Sequence, residues 1–97
     1  MSVTKSKKQQ RMEEHEQSIR QARGVLKEIS EDNTTPRNIR RAAKNAMEAL
    51  QDPSVSFGVK TANAISLLDE ISQDPNMPPY TRTRIWNVVS ILETVRD

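Results

Sequence analysis

The 97-residue chain has no cysteine, which excludes disulfides and thiolate metal sites. It has two glycines, Gly24 and Gly58, too few and too far apart for a phosphate-cradling loop. Phe57, Tyr80 and Trp86 are its three aromatics, so a core must be built from Ala, Val, Ile and Leu. The single histidine, His15, lies in Glu13-Glu14-His15-Glu16. Adjacent helical side chains point in different directions, so these four cannot chelate one ion. With one histidine near the start, no Ser-His-acid triad and no His-Glu-x-x-His spacing can be assembled. No apolar run approaches the ~20 residues that span a bilayer. No hydrophobic leader follows the basic start. Neither sign of charge dominates: 15 Lys and Arg stand against 13 Asp and Glu, a net of +2. These absences lead us to expect a cytoplasmic, non-enzymatic protein with no cofactor, no metal and no membrane segment.

The chain does contain a copy of part of itself. Residues 22–50 laid on residues 64–92, an offset of 42, match at ten positions. They are Ala22/Ala64, Leu26/Leu68, Glu28/Glu70, Ile29/Ile71, Ser30/Ser72, Asp32/Asp74, Pro36/Pro78, Arg40/Arg82, Asn45/Asn87 and Leu50/Leu92. Chance would give roughly two in such a window at ordinary composition. A helical period near 40 marks helical-hairpin repeats of the HEAT or armadillo kind, which usually serve as binding surfaces.

Residues 1–11 carry Lys5, Lys7, Lys8 and Arg11 with no acid and read as a basic flexible tail; residues 12–97 read as one helical-repeat domain. Met12, His15, Ile19, Ala22, Leu26 and Ile29 recur at helical spacing. Glu31-Asp32-Asn33-Thr34-Thr35-Pro36 breaks that helix, with Thr35 placed to cap a second one and Pro36 as its first residue. Ile39, Ala42, Ala43, Ala46, Met47 and Leu50 form the next stripe, and Asp52-Pro53-Ser54 opens the third helix. There Val55, Val59, Ala62, Ile65, Leu68 and Ile71, widened by Ala64 and Leu67, predict a central helix, with Gly58 marking a bend or a close contact. After Asp74-Pro75-Asn76-Met77-Pro78-Pro79, a fourth helix carries Ile85, Val88, Val89, Leu92 and Val95. The expected fold is all-α: four helices near 12–31, 36–51, 54–73 and 78–96, as two stacked HEAT-like helical hairpins.

Each break sets an acid eight residues before a base: Asp32/Arg40, Asp52/Lys60 and Asp74/Arg82. Such an Asp can take up orphan N–H groups at the next helix start, pair with the base, or bind a ligand. Asn45 and Asn87 match across the repeat beside apolar stripes, where buried amides are expected to tie helices together.

The run Asp52-Pro53-Ser54-Val55, followed by Val59-Lys60 and Ala62, resembles a HEAT-repeat turn. Three stretches carry a narrower likeness: Thr35-Pro36-Arg37-Asn38-Ile39-Arg40-Arg41-Ala42-Ala43, Ala62-Asn63-Ala64-Ile65-Ser66, and Asp69-Glu70-Ile71-Ser72-Gln73-Asp74-Pro75-Asn76-Met77-Pro78 running into Ile85-Trp86-Asn87. Over roughly residues 19–97 the chain resembles the short archaeal proteins of the uncharacterised family UPF0147. The resemblance implies an all-helical fold and an archaeal source, and it brings no activity, cofactor or site residue with it. Nothing is carried over to the tail.

Charge is unevenly distributed. Residues 13–32 sum to −3, 36–49 to +3, 51–74 to −3 and 75–97 to +1. Stacked hairpins would put helices 1 and 3 in an acidic layer and helices 2 and 4 in a basic one. A basic layer beside a basic arm suits phosphate; ordinary solvated faces are the alternative. Trp86 aligns with Lys44 on the outward stripe Arg37, Arg41, Lys44, so the indole either faces solvent near Arg84 or covers core near Ile91. The expected binding set is therefore Lys5, Lys7, Lys8, Arg11, Arg37, Arg41, Lys44, Arg84 and Trp86. The expected partner is RNA or a ribonucleoprotein such as the ribosome. The alternative is a protein partner or a homodimer, because two hairpins bury little core by themselves.

Overall fold

The structure is a computed structural model that describes residues 5–97. Residues 1–4 of the expected tail lie outside the described residues. Among the described residues there are four helices: α1 (Lys7–Glu31), α2 (Arg37–Leu50), α3 (Phe57–Ile71) and α4 (Pro79–Glu93). Among the described residues there is no strand.

The expected tail is corrected at Lys7–Arg11, which form the first turns of α1. A capping box starts them: Ser6 Oγ accepts from the Gln9 N–H at 3.1 Å, and the Gln9 side chain accepts from the Ser6 N–H at 3.0 Å. Ser6 and Gln9 are the sequence signature of this helix start. Pro36 and Pro78 sit one position earlier than expected, just outside α2 and α4.

Three turns share one device. Asp32 accepts from the N–H of Thr34 at 2.9 Å, Asp52 from that of Ser54 at 2.9 Å, and Asp74 from that of Asn76 at 2.8 Å. The hydroxyls of Thr34 and Ser54 add bonds of 2.7 and 2.6 Å. The Asp half of the acid–base ladder thus closes its own turn. The basic half goes elsewhere. Arg82 donates to the main-chain carbonyls of Ser72 (3.2 Å) and Asp74 (3.1 Å), and Lys60 lies over the Phe57 ring at 5.3 Å.

The helices pack in a ring, α1 on α2, α2 on α3, α3 on α4 and α4 back on α1, while the diagonal pairs barely meet. This corrects the expected stack, in which α1 would lie on α3 and α2 on α4. A two-repeat stack leaves a flank of each hairpin uncovered; closing α4 onto α1 buries it. Exchanging the two halves then maps each seam onto its opposite, a rotation about the bundle axis rather than a step along a solenoid. The α3–α4 seam is the loosest of the four.

The interior holds Ile19, Ala22, Leu26 and Ile29 of α1, Ile39, Ala43, Ala46 and Leu50 of α2, Ala64 and Leu68 of α3, and Ile85, Val88, Val89 and Leu92 of α4. Helix α3 is not the central helix that its apolar width suggested. Its buried row is Thr61, Ala64 and Leu68, and Val59 stays 43% exposed at the loose seam. Thr61 can lie inside because its hydroxyl is shared by the carbonyls of Phe57 (3.0 Å) and Gly58 (3.1 Å). Asn45 and Asn87, expected as buried amides, are both exposed.

Candidate functional site

The ring sets the electrostatics. The acidic stretch 13–31 of α1 and acidic α3 alternate with basic α2 and α4 around the axis, so the expected acidic and basic layers do not form; with Lys7, Lys8 and Arg11 included, α1 as a whole is net +1. The basic helices face opposite sides of the bundle.

Between the C-terminal half of α1 and the outer face of α2 lies an open cleft of about 720 Å³. Lys27 enters it from α1, and Arg37, Arg40, Arg41 and Lys44 from α2, against the two acids Glu31 and Glu48. The proline turn and the spacing of α2 place Arg37, Arg41 and Lys44 on one exposed row. Nε of Arg40 is buried and has no acceptor among the described residues. Lys27 and Arg40 were not among the expected binding residues. In sequence Arg40 pairs by spacing with Asp32 and Lys27 falls in the acidic stretch 13–32; only the α1–α2 pairing brings them here.

The other expected residues are dispersed. Lys7, Lys8 and Arg11 are exposed along the first turns of α1. Arg11 and Lys27 are 16 positions apart on one helix, about 24 Å along its axis. Lys5 is drawn back to Glu13 by an ion pair of 2.8 Å. Arg84 is not free: it pairs with Glu28 across the α1–α4 seam, its guanidinium 5.6 Å from the centre of the Tyr80 ring, and only 21% of its side chain is exposed. Trp86 does face solvent, 56% exposed, on the outward row of α4 with Thr83 and Ser90. That row lies diagonally across the bundle from Arg37, Arg41 and Lys44.

A second small cluster joins the N-terminus of α3, the segment after α4 and the body of α1. Asp97 accepts from Ser56 Oγ and from the Gly58 N–H, both at 2.8 Å, at the N-terminus of α3. The Gly58 N–H and then the Ser56 hydroxyl hold the Asp97 carboxyl below the ordinary aspartate value of 3.8. His15 meets Phe57 edge-on at 5.7 Å beside it. Gly58 is thus the close contact its sequence position allowed. Among the described residues no group of three or more His, Asp or Glu is placed to hold a metal ion, and no helix is long and apolar enough to cross a membrane.

The fold and its surface define a class: a small four-helix protein of duplicated design whose polar clefts lie along its seams. The chain belongs to the uncharacterised protein family UPF0147, whose model matches residues 6–95. The match reaches further toward the N-terminus than the sequence strings suggested, into the capped first turn of α1. Among archaeal relatives, a UPF0147 protein of Metallosphaera sedula is 60% identical over 84 residues, covering 87% of this chain and 94% of its own. One from Aeropyrum pernix is 58% identical, covering 87% and 92%. The crystal structure of the unknown-function protein MMP1188 superposes with a TM-score of 0.81 at 50% identity, over 82% of this chain and 91% of that one.

Proposed function

We propose that this protein is a non-catalytic helical interaction module of the cytoplasm that binds RNA or a ribonucleoprotein such as the ribosome. One observation carries the reading: five bases face two acids in the α1–α2 cleft. A phosphate there would meet the exposed Arg37, Arg41 and Lys44. The exposed Lys7, Lys8 and Arg11 of α1 supply a second contact, and a nucleic acid reaching both would span about 24 Å. The HEAT-like side of this reading is confined to the turns, where an Asp closes each loop before the next helix.

A second reading, a protein adaptor or self-associating scaffold, is favoured by Tyr80 and Trp86, 73% and 56% exposed on α4. Fluorescence anisotropy against a structured RNA across a salt series separates the two. RNA binding with a steep salt slope, reduced by about one unit per lost phosphate contact in Arg37→Glu, Arg41→Glu and Lys44→Glu, supports the first. Salt-insensitive self-association with no affinity for RNA supports the second.

A further inference from the structure

We propose that the cleft between α2 and α3 is a docking slot for an arginine side chain of a partner protein. This goes beyond the nucleic-acid reading and does not depend on it. The two halves of the duplication treat the same seam in opposite ways. On the α4–α1 side, Arg84 fills the groove and pairs with Glu28, its guanidinium beside the Tyr80 ring. The repeat offset turns Arg84 into Ala42, Glu28 into Glu70 and Tyr80 into Asn38. The acid is retained and the base is cut back to a methyl group.

What remains is an open cleft of about 470 Å³ whose lining includes Asn38, Ala42, Glu70 and Asp74. Glu70 makes no ion pair and no side-chain hydrogen bond among the described residues, whereas its counterpart Glu28 has Arg84. Asp74 is committed to its turn, accepting from the Asn76 N–H at 2.8 Å and from the Asn38 side-chain amide. Glu70 is therefore the free acceptor of the slot. The occupant is argued from the molecule itself: the matching groove, with the same acid at the same place, takes a guanidinium. A guanidinium also fits a carboxylate in two parallel hydrogen bonds and lies flat along a seam, which an ammonium does not. Arg41 forms one wall where the other half has Thr83, so the two carboxylates of the slot, Glu70 and Asp74, face one resident cation.

The test follows backbone amide shifts of the full chain during titration with N-acetyl-arginine amide, with the lysine and citrulline counterparts as controls. Saturable shifts are expected at Ala42, Glu70 and Asp74, with citrulline and Glu70→Gln each weakening binding by about tenfold or more. Ala42→Arg should abolish binding by supplying the missing side chain in cis. Arg84→Ala should open the opposite groove and add a second set of shifts around Glu28. The proposal is overturned if the wild type shows no saturable shifts at the slot, if Glu70→Gln binds as well as wild type, or if arginine and citrulline are equivalent.

Discussion

The carboxylate of Asp97 rests against Gly58 so closely that a methyl group there would lie 2.7 Å from its Oδ2. The contact brings a negative charge to the N-terminus of α3, where unpaired N–H groups carry partial positive charge. Gly58→Ala should displace it. The Asp97 carboxyl should then titrate nearer 3.8, followed by side-chain NMR. Unfolding stability should change little, because the alanine's helix preference of about 0.5–1 kcal/mol offsets the lost hydrogen bonds.

Acid should weaken the fold through its turns. Hydrogen bonds from the side chain and N–H of Thr34 hold Asp32 below 3.8, and those from Ser54 do the same for Asp52. A carboxyl with a depressed folded value stabilises above its unfolded value and loses that stabilisation as the pH falls through the folded one. Thermal unfolding should thus be insensitive to Asp32→Asn and Asp52→Asn below the depressed range, and lowered by them near pH 6. Equal effects at both pH values would refute the assignment.

Arg82 ties the end of α3 to the start of α4 through two main-chain carbonyls. Hydrogen bonds from a charged donor contribute about 1.5–3 kcal/mol, so Arg82→Ala should cost that order of stability in urea unfolding. Lysine at this position should recover only part of it, since one ammonium cannot reproduce the two-pronged reach.

Leu26 and Leu68 are repeat equivalents and both fully buried. Replacing either with alanine should cost about 2–5 kcal/mol in chemical denaturation. If the ring is closed as described, the two costs should be similar; a much smaller value for Leu68 would mean that the second hairpin packs more loosely than the first.

Removing residues 2–11 should leave the thermal midpoint nearly unchanged, because residues 5–11 are all exposed. The helical signal should fall only by the few residues lost from α1. RNA affinity should weaken with a shallower salt slope, read by anisotropy.

The four helices were legible because Leu, Ile, Val and Ala recur at helical spacing and because proline turns separate them. The duplication was legible from identities alone. The way the halves meet was not. Stacking and ring closure bury the same stripes, and the choice depends on whether the outer flank of α1 meets α4, which no local pattern records. The candidate site shared that fate. Arg37, Arg41 and Lys44 could be placed on one face from spacing, whereas Lys27 joins them only through the α1–α2 seam. Nothing in the sequence sets Arg84 apart from its neighbours, because its partner Glu28 lies across a seam that a stack would not contain. Thr61 misled in another way: a hydroxyl satisfied by its own helix can occupy a core position that a count of apolar residues passes over.

The long first helix has one more consequence. At 25 residues it is about ten longer than its companions, and its first turns, residues 7–14, are exposed throughout, ahead of the contact of His15 with Phe57. A free peptide of that length would rarely coil, because starting a helix is costly while extending one is not. Here the buried part of α1 serves as the seed, and the exposed turns need only be added to it. This stretch can thus shorten or lengthen turn by turn without disturbing the four-helix body, like a rule slid from its case.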